Sequence, residues 1–492
     1  MSVNLNAPNN EPNPIPLDNS WFLLAELFEG LSAEERTALA QALALVWPME
    51  PRLDSLERAL VELDGVIGGL DQALGAQLDV ILHDRNFLEL ERAWRSLKFL
   101  VDRADPRENV EVHIFDATAR QIYEDLVESP EIIRSTMFRK IYSLEYGQFG
   151  GKPYGAIIGA YELGSGPLDF GLTRGLASVG SMAHAPFIAS VGAGFFGLDN
   201  WREMTAIQDL EAILSRPSHL AWQALRNQEN SRYLALVLPG FLARNPYSED
   251  YGRSPGFHYV ESTGNDEDFV WGYSSILVGA LMAQSFAKHR WCANLTGLEG
   301  GGLVEGLESW SFQSMGGAQR RIPLQARVGE KLEQDLANNG LICVSLRDDP
   351  GKAVIYSAPT VLAPRTFAGQ DEGDSFNYLV STILPYMMII NRLAHYIKVI
   401  QRENIGSWKD RGVIESELNL WLNQYVTDMD SPSPSLRGRR PLRQARVEVS
   451  DLPGAPGWRQ MALFIRPHLT FMGATFTLSI VGRLDEVDFE LT

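Results

Sequence analysis

Four short, almost wholly apolar segments constrain the fold of this chain more than any other feature. They are residues 154–162 (YGAIIGAYE), 186–191 (PFIASV), 233–238 (YLALVL) and 341–346 (LICVSL). None is long enough for a typical helix, and none alternates between apolar and polar residues. Such runs read as strands buried on both faces. Helical patterns lie between them, including one from about Phe170 to Ala183 and one through Ile276–Ala283 to Gln284 and beyond. Strands alternating with helices predict a mixed α/β core with parallel pairing. Residues 110–115 (VEVHIF) alternate strictly and predict a further, half-buried strand.

The flanks differ from this core. Residues 1–19 are rich in Asn and Pro and read as an extended arm. Residues 20–31 predict a short amphipathic helix with Phe22, Leu23, Leu24, Leu27, Phe28 and Leu31 on a broad apolar face. Hanging on such an arm, it suits docking to a partner as well as packing on its own core. Ser32-Ala33-Glu34-Glu35 is a capping box opening a second helix to about Val46. Helical periodicity runs from Arg52 to Arg103, with one stripe ending near Leu70 and another carrying Leu78 to Leu82. Residues 375–403 form the longest helical run, with Pro385 inside it predicting a kink or break. Residues 429–440 read as a Ser/Pro/Arg linker. A small antiparallel β element ends the chain, its last strand bearing Phe471 and Phe476.

With 492 residues, several domains are expected. We divide the chain into arm and amphipathic helices (1–50), a helical connecting region (51–105), a central α/β domain (106–370) and a C-terminal domain (371–492). The formal net charge of −19 disfavours nucleic acid as a partner. Two cysteines, Cys292 and Cys343, form neither a disulfide framework nor a zinc spacing and fit a reducing compartment. No secretory signal pattern and no apolar run of membrane-spanning length occurs, which predicts a cytoplasmic protein.

The loop Leu298-Glu299-Gly300-Gly301-Gly302-Leu303-Val304-Glu305-Gly306 is the natural place to look for a ligand cradle. No Gly-Lys-Ser/Thr follows it, and Glu299 and Glu305 would repel a pyrophosphate. The eight histidines are dispersed, with no HExxH and no ligand spacing. His184 reads as a helix-end histidine bonding a carbonyl, and His395 as an interior residue. Cys292 reads as a structural thiol, and no nucleophile elbow stands out. No catalytic residue, metal or cofactor is assigned.

Several segments together resemble one family. They are residues 77–101 (around ILHDRNFLELERAWRSLKFLV), 146–163 (YGQFGGKPYGAIIGAYEL), 182–188 (MAHAPFI), 230–247 (NSRYLALVLPGFLARNPY), 269–273 (FVWGY), 285–306 (SFAKHRWCANLTGLEGGGLVEG), 392–408 (RLAHYIKVIQRENIGSW) and 464–468 (FIRPH). The chain resembles the TssC (VipB or EvpB) family, the large subunits of the type VI secretion sheath. It departs from the family pattern at Ala160, where an Asp is usual, and at Gly240, where an Arg is common. The resemblance implies a phage-tail-sheath-like α/β core with an N-terminal helical region and a C-terminal β element that exchanges strands with neighbouring protomers. It implies a TssB-like small subunit as partner, further copies of the chain in six-fold helical rings, an inner Hcp tube, a baseplate and a ClpV-type AAA+ unfoldase. It implies a structural, non-catalytic role. Trp21, Phe22, Leu24, Leu27 and Phe28 are then candidates for gripping by the unfoldase, Phe471 and Phe476 for strand exchange, and Glu299 and Glu305 for contacts between subunits, on a glycine loop that then reads as a constrained backbone turn after the helix ending at His289-Arg290-Trp291. A sheath protein of a related injection particle or phage-like tail, or a soluble enzyme, are the alternatives.

Overall fold

The computed structural model describes residues 32–46, 56–146, 150–248, 256–314, 317–320, 323–347, 351–365, 378–404, 410–429, 432–451, 459–468 and 478–483. Two compact units emerge, one from residues 1–88 with 246–269, the other from 89–245 with 270–492.

In the first unit, Ser32 and Glu35 cap the helix Ala33–Val46 reciprocally: Ser32 N–H donates to Glu35 Oε2 (2.7 Å) and Glu35 N–H to Ser32 Oγ (3.3 Å). The two apolar stripes between Leu56 and Leu82 belong to a single 27-residue helix rather than two. Gly65, Gly68 and Gly69 weaken it locally without ending it. The segment 258–262 packs along this helix. Tyr259 Oη donates to Asp79 Oδ1 (2.5 Å), and His258 N–H donates to Asp71 Oδ2 (3.3 Å). Asp84 ends the helix and opens the next, accepting from the N–H groups of Asn86 (3.0 Å) and Phe87 (3.2 Å).

The second unit is built on a four-stranded, all-parallel sheet. Its strands are β1 (Ile157–Leu163), β2 (Phe187–Val191), β3 (Leu234–Leu238) and β4 (Leu341–Cys343), paired in that order. The fold class is the mixed α/β one expected, and the apolar runs have the expected cause. Leu234, Leu236 and Leu238 of β3 face a core completed by Leu172, Leu176 and Val179 of the helix Pro167–Ala183. Ala235 and Val237 face the opposite core, with Ile276, Leu277, Ala280 and Leu281 of the helix Ser274–His289. With both faces covered, apolar residues are favoured at both parities, and a polar one needs a hydrogen-bond partner. One polar network is buried between sheet and helix: Ser275 N–H donates to Ser190 Oγ (3.0 Å), and Ser275 Oγ donates to the Gly159 carbonyl (2.8 Å).

A third core gathers Tyr386, Ile389, Leu393 and Ile397 of the helix Leu384–Asn404, Leu418 and Leu422 of the helix Arg411–Asn423, and Val447, Leu463 and Ile465. The last three come from an antiparallel sheet of Leu442–Asp451, Arg459–Pro467 and Leu478–Arg483, the terminal β element expected.

Three further expectations are corrected. Residues 110–115 form no strand: Val112 packs inward, but Ile114 is 66% exposed, and the segment is tied through side chains. Lys152 Nζ donates to Glu111 Oε1 (2.6 Å), and His113 Nδ1 lies 2.9 Å from Tyr154 Oη. Alternation marks a segment able to pair, and pairing needs a neighbour's backbone. The run 341–346 is not one strand. It splits at Val344, and Ser345–Leu346 joins Ala353–Val354 and Leu303–Val304 in a separate antiparallel sheet. Pro385, by contrast, marks the break expected of it: helical residues 378–380 give way to a turn, and the helix Leu384–Asn404 starts beside the proline, where its missing N–H costs no hydrogen bond. The stretch 429–440 includes a short helix, Pro434–Arg439, capped by Ser433.

Candidate functional site

The glycine loop is a backbone device, and its construction follows from its neighbours. The helix Ser274–His289 ends at Arg290, whose φ is 65°. The Arg290 guanidinium donates to both the carbonyl and the Oε2 of Glu108 (2.5 Å each). Beyond it, Gly297, Gly301 and Gly306 take φ values of 73°, 93° and 70°, a region costly for residues with a Cβ. Gly302 N–H donates to the Gly297 carbonyl (2.8 Å), and Gly297 N–H to the Ile355 carbonyl (2.9 Å). Ile355 N–H returns a bond to the Gly302 carbonyl (2.9 Å). A Cβ on Gly302 would stand 2.4 Å from Ile355 O and 2.7 Å from Gly297 N. The turn is closed on its own backbone, and it delivers Leu303–Val304 to the small antiparallel sheet.

Arg103 clamps the far end of the loop. Its guanidinium lies over the Phe99 ring (3.5 Å) and donates to the carbonyls of Glu305 (3.0 Å) and Gly306 (3.3 Å). Burial lowers its pKa from the usual arginine value. Glu299 lies exposed on the turn. Glu305 is also exposed and pairs with Lys352 Nζ at 3.5 Å. The two carboxylates are thus placed on the surface of a closed turn. Trp21, Phe22, Leu24, Leu27, Phe28, Phe471 and Phe476 fall outside the described residues.

A second concentration of ionisable groups joins three distant stretches of chain. His395 Nε2 bonds the Ala183 carbonyl at 3.0 Å. His395, not His184, therefore takes the helix-end carbonyl. His184 itself has a φ of 51° at the end of the helix Pro167–Ala183, and its ring is fully buried, 6.0 Å from that of His395. Lys398 donates to Tyr142 Oη (3.3 Å) and lies near the rings of Tyr142 and Tyr146. Desolvation pushes His395 down to about 4 and Lys398 down to about 8, and also lowers His184. The same effect raises Cys292 to about 11 and Cys343 to about 12, so both thiols are poor nucleophiles.

These residues serve packing. Among the described residues no three His, Cys, Asp or Glu side chains stand together as a metal ion would need. No described helix is long and apolar enough to cross a membrane. Sequence reading missed the groups that tie the second unit together: Arg103, Arg290 with Glu108, and Arg244, whose buried guanidinium bonds Glu91 Oε1 at 2.7 Å. Each partner lies more than a hundred residues away, so no local spacing signals the pairing. Gly240 is explained by space, since a Cβ there would stand 2.4 Å from Gln325 Oε1 and 2.8 Å from the Gly272 carbonyl. Ala160 is exposed on β1, the edge of the parallel sheet, and nothing in the structure explains the absence of a larger residue.

Comparison with known proteins places this architecture. Residues 64–362 match the family model described as EvpB/VC_A0108, tail sheath N-terminal domain. Residues 373–484 match its companion, the tail sheath gpW/gp25-like domain. A type VI secretion system sheath protein, TssC1, of Pseudomonas aeruginosa is 31% identical over 432 residues, covering 87% of this chain and 86% of that one. Among solved structures, a sheath tail protein from Listeria innocua aligns with a TM-score of 0.36 and 11% identity, over 76% of this chain. The chain spans 61% of the Listeria protein's length. A chain of the anti-feeding prophage baseplate aligns with a TM-score of 0.34 and 10% identity, over 78% of this chain and 82% of that one. A chain made of the two tail sheath domains in succession is a sheath protein, with a structural role. It belongs to the TssC (VipB/EvpB) family.

Proposed function

We propose that this chain is the large subunit of the contractile sheath of a bacterial type VI secretion system. It pairs with a TssB-like small subunit in the cytoplasm, stacks in six-fold rings around an Hcp tube above a baseplate, and contracts to drive the tube outward. The observation carrying this reading is the succession of both sheath domains along most of the chain. A glycine turn closed on its own backbone fits it, since the turn leaves no cradle for a ligand. Sheath rings need heterologous contacts that do not close on themselves, and a chain with terminal segments that reach into neighbours supplies them.

Several finer assignments belong to the same proposal. The chain divides at residues 50, 105 and 370 into arm, connecting helices, central domain and C-terminal domain. Phe471 and Phe476 lie on the strand exchanged with a neighbour, and Glu299 and Glu305 face another subunit. Trp21, Phe22, Leu24, Leu27 and Phe28 form the helix that a ClpV-type unfoldase grips. Co-expression with a TssB-like protein and electron microscopy test the proposal: cogwheel tubules are expected, and discrete monomers would overturn it. In the same tubules, deletion of residues 1–31 should slow disassembly by the unfoldase, and an unchanged rate would remove the grip assignment alone. Reversing both charges at Glu299 and Glu305 should impair tubule formation, and intact tubules would remove their role between subunits.

A further inference from the structure

We propose that the exposed apolar seam of the helix Leu56–Leu82 is a docking surface for a basic amphipathic helix of a partner protein. Ile67, Leu70, Leu74 and Ile81 are 42%, 36%, 53% and 56% exposed. Their spacings of three, four and seven residues place them on one face, as the a and d positions of a heptad repeat. A row of large apolar side chains left in water on one helix face marks a surface built to be covered.

The helix itself is poorly suited to standing alone. A Cβ on Gly65, Gly68 or Gly69 would meet nothing within 4 Å, so these glycines are not needed for packing within the unit. Each costs a helix about 1 kcal/mol relative to alanine.

Charge selects the occupant. Asp64 and Asp71, seven residues apart, flank the seam on one side. Asp71 accepts from the His258 N–H, whereas Asp64 has no hydrogen bond or ion pair among the described residues. Between Arg58 and Arg85 the sequence contains Glu62, Asp64, Asp71, Asp79 and Asp84 and not one Lys or Arg. A second copy of this helix would set carboxylates against carboxylates. A helix with its own apolar heptad stripe, bordered by Lys or Arg, would bury the seam and neutralise its flank.

The test uses the full chain and two labelled synthetic helices with leucine at a and d, one carrying lysine and the other glutamate at the flanking positions. Fluorescence anisotropy at about 0.15 M salt limits long-range attraction to the acidic chain. The lysine peptide should bind and the glutamate peptide should not. Leu74→Asp and Asp64→Arg, both at exposed sites, should each weaken binding about tenfold or more. Glu128→Arg, an equal change of charge at an exposed position of the other unit, should leave it unchanged, and circular dichroism would confirm that each variant is folded. Equal binding by Leu74→Asp and the parent chain, or equal weakening by Glu128→Arg and Asp64→Arg, would overturn the proposal.

Discussion

Single residues matter here mainly through what they lack. At Gly302 the missing Cβ lets two backbone segments hydrogen-bond across the turn, and an added methyl would collide with Ile355 O and Gly297 N. Main chain yields less readily than a side-chain tip. Gly302→Ala should therefore destabilise the chain by about 3 kcal/mol, read as a lowered thermal midpoint. Gly155→Ala is the control, since nothing lies within 4 Å of that Cβ, and it should change stability by less than about 0.5 kcal/mol. Equal effects would mean that the turn is not the constraint described. The glycine triplet was visible in the sequence. Its reading as a constrained turn came with the family resemblance; what the sequence could not name is the segment lying opposite, here Ile355.

At the scale of elements, the sequence was most legible where burial is symmetric. The strand β3 reads as a continuous apolar run because Leu236 and Val237 point into different cores. Leu236→Ala and Val237→Ala should each destabilise the chain, the leucine by about 2–5 kcal/mol and the valine by less, read as lowered thermal midpoints. A negligible effect at Leu236 would show that this face of the sheet is less tightly packed than its burial implies. Legibility failed where an element depends on its neighbour. Residues 110–115 carry the alternation of a strand, yet they are held by side chains, through the ties to Lys152 and Tyr154 and the packing of Val112. Residues 341–346 contain one apolar run and two strands, because Val344 lies where the chain leaves the parallel sheet for the antiparallel one.

Across the whole molecule, the cluster around His395 and Lys398 links residues 142–146, the end of the helix at Ala183 and the helix Leu384–Asn404. Its titration gives the stability a predictable pH dependence. His395 falls from 6.5 to about 4 on folding. Between those values the unfolded chain binds a proton that the folded chain refuses, so stability declines as pH drops through that window. Lys398 falls from 10.5 to about 8, so the folded chain carries the cost of its charge at neutral pH. Thermal melts from pH 7.5 to 4.5 should show a shallower acid-side loss in His395→Gln, which retains a donor for the Ala183 carbonyl. Lys398→Met should raise the midpoint at pH 7 more than at pH 10.5. Unchanged slopes in both variants would mean that the cluster is more hydrated than its packing indicates. The sequence by itself determined the α/β class, the buried strands, the first helix cap and the family, since each is written in residues close together or in ordered motifs along the chain. Tertiary structure alone decided that the glycine loop is closed, that residues 110–115 stay unpaired, that His395 rather than His184 takes the helix-end carbonyl, and that Arg103, Arg244 and Arg290 bind partners far away in sequence. Local pattern records which face of a segment is buried. The identity of the atom that meets it is set by chain segments brought together only on folding.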